Sequence, residues 1–179
     1  DFSPYIAQIR ASGADTVITG NWGNDLALLV KAAADSGLNA KFYTYYGGGL
    51  GGPKAIGAAG EGRVLQITEY HRNLPREMGK QEVYDFVLPF DEKYGDMDWY
   101  FGRVGTMLDM LKMAAEQAKS TDPTKVAFAL EGLEVKTPFG AATMRAMDHQ
   151  LLQPLFISML TKDVKYDAEK SGLGFKTIA

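Results

Sequence analysis

The sequence predicts an α/β fold in which a parallel β-sheet is flanked by helices. Residues 1–70 alternate short β-branched or aromatic runs with longer segments whose apolar residues recur every three or four positions. Short glycine-containing loops join the two kinds of segment. This alternation is typical of βαβ units, because parallel neighbouring strands need a helical connection that packs on the sheet.

Local signals place the elements of this region. Pro4 suits the first turn of a helix that ends before Gly13. Leu26, Leu29 and Val30 share one face of the second helix. In chain order we predict helix 4–12, strand 15–19, helix 25–36, strand 41–46, a short helix near 54–59 and strand 63–68.

Helices dominate the sequence after a polar loop at 71–79. The longest helix carries an apolar stripe that must pack on other structure. Its members are Tyr100, Val104, Met107, Leu108, Leu111 and Ala115. We predict helices at 80–94, 99–119 and 123–132, a turn or hairpin around Gly140, a final strand at 154–164 and a loosely held polar tail from residue 165.

Composition excludes several classes of function. Apolar residues make up 46% of the 179-residue chain, which is too much for a disordered protein. The net charge is −3 and the two signs are interspersed, which argues against a nucleic-acid partner. No apolar run approaches the ~20 residues that span a membrane. The sequence contains no cysteine, so disulfides and thiolate chemistry are excluded.

Catalytic and metal-binding patterns are weak. His71 lies in a polar loop, where we expect it to be solvated. His149 follows Asp148, but adjacent residues rarely orient one another as a base and its partner, and no nucleophile motif accompanies them. The two histidines do not have the spacing of metal ligands. We therefore predict no catalytic residue, no metal site and no cofactor.

The glycine-rich stretch 47–52 is similar to a phosphate-binding loop in composition only. It follows a strand, but it has neither the Lys-Ser/Thr pair of a Walker motif nor a G-x-G-x-x-G pattern that opens a long helix. We expect a flexible loop that brings backbone N–H groups near a ligand, in preference to the alternative of a nucleotide-binding loop.

A candidate ligand site lies at the carboxyl ends of the first two strands, where parallel α/β sheets bind their ligands. Trp22 lies there among glycine and asparagine residues, before a helix whose free N–H groups favour an anion such as a carboxylate. An aromatic rim in this position suits a small organic acid. The alternative is that Trp22 only fills a gap between lobes. The candidate ligand-binding residues are Asn21, Trp22, Tyr45, Tyr46, Gly47 and Tyr100.

Several segments carry a family resemblance. The opening "DFSPYIAQIRASGAD" leads to "GNWGND" and "KAAADSGL", then to "KFYTYYGG" and "AAGEGRVLQIT", and "ALEGLEVKTPFGAATMRAMDHQLLQPLFI" stands near the end. These segments resemble the leucine/isoleucine/valine-type periplasmic binding proteins, the type I substrate-binding components of ABC transporters. Gly140, Arg145 and Asp148-His149-Gln150 fit the pattern of that family closely.

The resemblance implies a periplasmic binding protein type I fold, with parallel-sheet lobes and flanking helices, present here as a C-terminal fragment. Family members are longer, so the resemblance implies that a missing N-terminal half of the same protein is a partner of this chain. By analogy, residues 1–70 belong to lobe II, 71–153 to lobe I, 154–165 to a strand returning to lobe II and 166–179 to a tail.

The resemblance also implies a function without catalysis. The lobes of such a protein close on a small-molecule ligand by a hinge motion, in the periplasm, and the closed form is presented to the membrane permease of an ABC transporter. The alternatives are a ligand-sensing core of a receptor or regulator with the same fold, and an α/β enzyme.

Tyr46 stands where amino-acid-binding members of the family carry an acidic residue that neutralises the ligand ammonium. A buried ammonium without a partner is costly. Asp25 would substitute only if it faced the cleft rather than capping its helix. We therefore expect an amine-free or aromatic carboxylate as the ligand, in preference to a branched-chain amino acid.

Overall fold

Strands and helices alternate along the first part of the chain. The structure, a computed structural model, describes residues 1–95, Met97 and residues 101–179. The elements in chain order are α1 (Ser3–Ser12), β1 (Thr16–Ile18), α2 (Gly23–Asp35), β2 (Lys41–Thr44), α3 (Gly52–Ile56), β3 (Val64–Thr68), α4 (Leu74–Glu77), α5 (Gln81–Lys93), α6 (Phe101–Ala118), α7 (Pro123–Leu130), β4 (Glu134–Thr137), β5 (Gly140–Met144), β6 (Leu151–Leu152), β7 (Phe156–Thr161) and β8 (Gly174–Thr177). The helices and strands predicted for residues 1–70 are all present, with ends that differ by at most three residues.

The chain divides into two compact units. The sheet unit contains Asp1–Asp98 and Phe156–Ala179, and the hairpin unit contains Trp99–Leu155. Residues 71–98 therefore belong to the same unit as the sheet. The sequence-based assignment differs, because it passes from lobe II to lobe I between residues 70 and 71. The assignment of the units to lobes remains a prediction.

A five-stranded mixed sheet organises the sheet unit, in the order β1-β2-β3-β7-β8. β1, β2 and β3 are parallel, and β7 pairs antiparallel with both β3 and β8. The register aligns Ile18 with Tyr43 and Tyr43 with Leu65, so these three side chains lie on one face. Phe42 belongs to the next row and lies on the other face.

The first three helices contribute to the core on the face that carries Phe42. Phe42 and Val64 have no exposed surface, and they share one apolar cluster with Ile6 of α1 and with Leu26 and Val30 of α2. A fully buried side chain of this size contributes about 1.5–3 kcal/mol. The spacing of Leu26 and Val30 in the sequence predicts the buried face of α2, and the structure confirms it.

β8 corrects the expectation of a loosely held C-terminal tail. Its residues Gly174–Thr177 pair with β7, where Phe175 lies opposite Leu160. Leu173 and Phe175 are buried in the same cluster as Phe42. The prediction was wrong because a four-residue strand carries too few apolar residues to show a periodic pattern in sequence.

His71 is buried, so the prediction of a solvated histidine was wrong. The segment predicted as a loop contains the short helix α4, and His71 is only 5% exposed. Its Nε2 lies 2.8 Å from Oγ1 of Thr177 and 3.6 Å from Oε2 of Glu77. The backbone N–H of Thr177 donates to the same carboxylate at 3.2 Å. Burial lowers the pKa of His71 to about 4, against the opposing effect of the Glu77 charge, so the imidazole is neutral at pH 7.

The hairpin unit packs helix α6 on a three-stranded antiparallel sheet formed by β4, β5 and β6. Met110 of α6 shares a small core with Val135 and Ala142. The predicted hairpin around Gly140 is confirmed by the pairing of β4 with β5. Gly140 has a φ of +136°, and a Cβ at this position would lie 2.7 Å from Cγ of Pro154, so only glycine fits here.

A second face of α6 exposes an apolar stripe. Val104, Met107, Leu108 and Leu111 are between 42% and 56% exposed. The sequence predicts that this stripe packs on other structure, but the described part of the chain leaves it largely in solvent. Tyr100, which the prediction also places on the stripe, lies outside the described residues.

We predict that the titration of His71 makes stability depend on pH. Histidine has a pKa of about 6.5 in an unfolded chain, whereas the folded protein holds the pKa of His71 at about 4. The unfolded chain therefore binds more protons in this window, so stability is full above pH 6.5 and falls as the pH is lowered towards 4. The expected loss between pH 7 and pH 5 is about 2 kcal/mol, measured by urea denaturation.

Two variants isolate this effect, because the chain has only two histidines. His71→Gln can keep a hydrogen bond to Thr177 without titrating, so it should remove most of the loss between pH 7 and pH 5. His149→Gln should leave the loss unchanged, because His149 is exposed. A His71→Gln protein with the full pH dependence would show that other groups cause it.

Candidate functional site

The loops that follow β1 and β2 lie side by side at the carboxyl ends of these two strands. The two strands are parallel, and the N–H of Thr19 extends their ladder by donating to the carbonyl oxygen of Tyr43 at 2.9 Å. The carboxyl ends of parallel strands lie on the same side of the sheet, and α/β sheets bind their ligands there. Of the six candidate residues, Asn21, Trp22, Tyr45, Tyr46 and Gly47 follow these strand ends, and Tyr100 lies outside the described residues.

Asn21 holds the first loop in place. Its side-chain oxygen accepts a hydrogen bond from the hydroxyl of Thr19, and its amide nitrogen donates to the carboxylate of Asp25. The hydroxyl of Thr44, at the end of β2, donates to the backbone oxygen of Asn21 at 2.8 Å. These bonds engage both ends of the Asn21 amide, so its side chain positions the loop.

Trp22 is the residue directly before α2 and has extended backbone, with φ −149° and ψ 167°. Gly23, the next residue, has a φ of +56°, which glycine adopts without strain. Trp22 is 56% exposed, so it is not a core residue in the described part of the chain. The loop therefore presents an indole ring beside the first N–H groups of α2.

Tyr45 and Tyr46 form the second part of the rim. Their rings meet edge to face, with 4.6 Å between the centroids and an angle of 83° between the planes. Tyr45 is 46% exposed and Tyr46 is half-buried. Such aromatic pairs gain about 0.5–1.5 kcal/mol beyond the burial of their area, so the two rings support each other's orientation.

The glycines of the second loop are required by close packing. A Cβ on Gly47 would lie 2.9 Å from Cζ of Phe175 and 3.2 Å from Cγ2 of Thr44. The backbone N–H of Gly48 donates to Oε1 of the buried Gln66 at 2.7 Å. The loop is therefore fixed to β3 and β8, and the sequence-based view of it as a flexible segment was wrong.

Sequence reasoning missed the polar residues that hold the two loops. Thr19, Thr44 and Gln66 do not belong to the predicted set, yet each makes one of the hydrogen bonds described above. Gln66 offered a signal, since a buried polar residue in an apolar strand needs a partner. Thr19 offered another, because a threonine hydroxyl in a turn can accept from the backbone N–H two residues on, as it does here from Asn21 at 3.1 Å.

The two loops that form the rim contain no acidic or basic side chain, and the carboxylate at the end of the neighbouring parallel strand is Glu69, whose pKa is raised by burial. Residues 19–24 and 47–52 contain no Asp, Glu, Lys, Arg or His, and the segment between β2 and Gly47 adds only Tyr45 and Tyr46. Asp25 is the nearest carboxylate in sequence, and it accepts the hydrogen bond from Asn21. The rim is therefore aromatic and amide-rich, and the N-terminus of α2 contributes partial positive charge.

The Asp148-His149 pair does not form a base and its orienting partner. Asp148 binds the guanidinium of Arg145, with Nε 2.8 Å from Oδ1 and Nη2 2.6 Å from Oδ2. The hydrogen bond from Arg145 lowers the pKa of Asp148 to about 2. His149 instead lies with Nε2 3.0 Å from the backbone oxygen of Ala127. Both side chains thus fix the turn between β5 and β6.

The described residues contain neither a metal-binding cluster nor a membrane-spanning helix. No group of three or more His, Cys, Asp or Glu side chains in this part of the chain is arranged to hold a metal ion. Among the helices within the same residues, none has both the length and the apolar character needed to cross a membrane.

The sequence and the fold correspond to a known class of protein. Residues 1–165 match the family described as periplasmic binding protein, and the chain belongs to that family. It has the type I fold of these proteins, whose members are substrate-binding transport proteins and not enzymes.

The relatives are longer than this chain. Leu/Ile/Val-binding protein homolog 4 of Brucella melitensis is 38% identical over 98% of this chain, but the match covers 42% of that protein. The leucine-, isoleucine-, valine-, threonine-, and alanine-binding protein of Brucella ovis, in a closed conformation, matches with a TM-score of 0.80 and 34% identity over 100% of this chain and 46% of its own. This chain therefore spans less than half the length of these relatives.

A more distant structure shares the fold alone. It is a solute-binding protein of an ABC transporter from Rhodopseudomonas palustris BisB5 in complex with 3,4-dihydroxybenzoic acid. It matches with a TM-score of 0.72 and 17% identity, and the match covers 100% of this chain and 48% of that one.

We predict that Gly47 tolerates no side chain. Gly47→Ala should lower the free energy of unfolding by about 1–3 kcal/mol, because its Cβ would overlap Phe175 and overpack the end of β2. Gly20→Ala is the matched control, since no atom lies within 4 Å of a Cβ at that position. Urea denaturation of both variants tests this, and equal losses would contradict the steric explanation.

Proposed function

We propose that this chain is part of the substrate-binding component of an ABC transporter, located in the periplasm. The complete protein would capture a small organic solute between two lobes, close around it by a hinge motion and present it to the membrane permease. Membership of the periplasmic binding protein family supports this proposal, as do the named Brucella relatives.

The N-terminal half that the relatives carry would complete the binding cleft. This chain covers 42–46% of the two Brucella proteins, so more than half of the family fold has no counterpart here. The exposed stripe of Val104, Met107, Leu108 and Leu111 supports the proposal, because an apolar helix face of this kind normally packs on other structure.

The ligand site would be the aromatic rim at the ends of β1 and β2. Trp22, Tyr45 and Tyr46 supply flat apolar surfaces that a ring or a branched chain can pack against. The N–H groups at the start of α2 would receive a carboxylate. Asn21 and Gly47 would act by shaping the two loops. Tyr100 is a candidate on sequence grounds alone, since it lies outside the described residues.

The neutral character of the rim carries the proposal for the ligand class. An α-amino acid brings an ammonium group, which needs a carboxylate when it is buried. Tyr46 occupies the position of the expected acid, and a phenol provides no full charge. Asp25 is held by Asn21. We therefore propose an amine-free or aromatic carboxylate as the ligand.

The relatives include proteins named for amino acids and a protein crystallised with an aromatic carboxylate. The Brucella ovis protein is named for branched-chain and small amino acids, and the Rhodopseudomonas protein was crystallised with a dihydroxybenzoic acid. Overall similarity therefore does not select the ligand of this chain. The proposed ligand class rests instead on the residues at the rim, above all on Tyr46.

We predict that the complete protein binds 4-methyl-2-oxopentanoate or 4-hydroxybenzoate more tightly than leucine. The unpaired ammonium of leucine should cost a few kcal/mol, which is about a 100-fold difference in Kd. Isothermal titration calorimetry at pH 7 measures each affinity on protein that carries both lobes. Tighter binding of leucine than of every amine-free acid would overturn the proposed ligand class.

Variants of Tyr46 sharpen the test. Tyr46→Glu restores a carboxylate at the rim and should shift the preference towards leucine by at least about tenfold. Tyr46→Phe is the control, because it removes only the hydroxyl and should keep the preference for the amine-free acid. If Tyr46→Glu bound neither ligand but remained folded, the acidic position would lie elsewhere.

We predict that Trp22 reports ligand binding by its fluorescence. Trp22 is 56% exposed beside the proposed site, so closure around a ligand should remove its ring from water and shift its emission to shorter wavelength. Trp22→Ala should abolish most of the ligand-induced change, whereas Trp99→Phe should retain it. A full change in Trp22→Ala would exclude Trp22 from the cleft.

A further inference from the structure

A half-buried carboxyl group follows the third parallel strand of the sheet. β1, β2 and β3 are parallel neighbours, so their carboxyl ends lie on one side of the sheet. The candidate rim uses the loops after β1 and β2, whereas Glu69 is the first residue after β3. The function proposed above assigns no role to this acid, although β3 is the direct neighbour of β2.

The alternation of side chains along β3 places Glu69 on the face of the sheet that carries Tyr45. Tyr43 lies opposite Leu65 in the register of β2 and β3. Two residues further along each strand, Tyr45 and Ile67 line the same groove. Successive side chains of a strand alternate between the two faces, so the residue two positions after Ile67 continues this face as the chain leaves β3. The acid therefore belongs to the same surface as the ring of Tyr45.

The surroundings of Glu69 suit a carboxyl group that receives a further hydrogen bond. Burial raises the pKa of Glu69, and a hydrogen bond with the backbone at its own position opposes this rise. The rise means that the carboxylate has lost part of its hydration, for which a hydrogen-bond donor on a ligand can compensate. A carboxylate accepts up to about four hydrogen bonds, so such a donor can be added to those that it already accepts.

The spacing of the strands determines which ligand can use both ends of this surface. Neighbouring strands lie about 4.8 Å apart, so the ends of β1 and β3 are separated by roughly 10 Å. The proposed carboxylate position is at the start of α2, which follows β1. An α-amino acid carries its ammonium and its carboxylate on the same carbon atom, so it cannot place one at α2 and the other at Glu69. A ring with a polar group at each end can bridge the two positions.

We propose that Glu69 is a specificity-determining residue, which accepts a hydrogen bond from a hydroxyl group at the end of the ligand remote from its carboxylate. The inference rests on the proposed function and narrows its ligand class to aromatic carboxylates with a hydroxyl group at the opposite end of the ring. The ring of such a ligand lies across the end of β2, where Tyr45 and Tyr46 supply apolar surface.

A purely structural role for Glu69 predicts a different pattern of binding. The hydroxyl of Thr68 donates to the backbone oxygen of Tyr70 at 2.6 Å, so the backbone after β3 is held without the side chain of Glu69. Loss of a structural group weakens the binding of every ligand alike. Loss of a contact with a ligand hydroxyl weakens only the ligands that carry this hydroxyl, and a comparison of two ligands therefore separates the two roles.

Isothermal titration calorimetry on the complete protein, with both lobes, tests the proposal. The wild-type protein should bind 4-hydroxybenzoate at least about tenfold more tightly than benzoate, because one hydrogen bond to a carboxylate is added to the same packing of the ring. Glu69→Leu removes the acceptor, so the ratio of the two Kd values should fall to about one or below. The Kd of benzoate should change by less than about threefold in this variant.

A second acid and a second ligand provide matched controls. Glu61 lies shortly before β3, at the opposite end of the same strand, and its carboxylate pairs with Lys162 at 2.7 Å. Glu61→Leu removes the same chemical group far from the rim and should keep the preference for 4-hydroxybenzoate. The isomer 3-hydroxybenzoate carries its hydroxyl on the side of the ring, so it should bind the wild-type protein no more than about twofold more tightly than benzoate.

Several outcomes would overturn the inference. Equal affinities of the wild-type protein for benzoate and 4-hydroxybenzoate, or an equal loss of both in Glu69→Leu, would do so and would leave the proposed function intact. Tighter binding of 4-(aminomethyl)benzoate than of 4-hydroxybenzoate would show that Glu69 pairs with an ammonium instead of a hydroxyl. If the complete protein bound leucine but neither aromatic acid, the proposed ligand class would fail and this inference would fail with it.

Discussion

The burial of Phe42 fixes the register of β2, and the candidate site depends on that register. Phe42 has no exposed surface and shares its cluster with Leu26 and Val30 of α2. A shift of one residue would exchange Phe42 with Tyr43 and turn every side chain of β2 to the opposite face. Because Tyr45 and Tyr46 follow β2 directly, the same shift would displace both rings. The packing of one core residue therefore determines where the aromatic rim lies.

The small and polar neighbours of Trp22 explain its position. Asn21 is held by Thr19, Asp25 and Thr44, and Gly23 supplies the left-handed backbone that starts α2. These contacts fix the backbone on both sides of the tryptophan without using its ring. A loop of larger side chains would cover the indole or replace these hydrogen bonds. The result is a preorganised aromatic surface, which would lower the entropic cost of binding the proposed ligand.

Sequence patterns predicted the features that depend on residues close to one another in the chain. The spacing of Leu26 and Val30 indicated the buried face of α2, and the resemblance identified the family. The sequence did not predict β8, the burial of His71 or the rigidity of the second loop. These features depend on partners distant in sequence, since Phe175 packs on Gly47 and Thr177 contacts His71. No periodicity within a short window contains such information.

A buried asparagine connects two segments of the sheet unit that are distant in sequence. Asn73 is 2% exposed, and its side-chain amide donates to the backbone oxygen of Tyr166 at 2.9 Å and accepts from the backbone N–H of Tyr166 at 2.8 Å. The amide therefore replaces one pair of strand hydrogen bonds between the segment before α4 and the segment before β8. Neutral buried bonds of this kind do not weaken with salt, unlike exposed ion pairs.

Under the proposed function, this arrangement has a mechanical consequence. A hinge motion transmits the free energy of ligand binding only if each lobe moves without internal rearrangement. Asn73 and the neutral His71 both connect the segment that follows β3 with the C-terminal part of the chain. They hold β8 against the sheet, and Phe175 of β8 in turn supports the loop at Gly47. The C-terminal residues, which resemble an unstructured tail in sequence, thus support the rim that is proposed to bind the ligand.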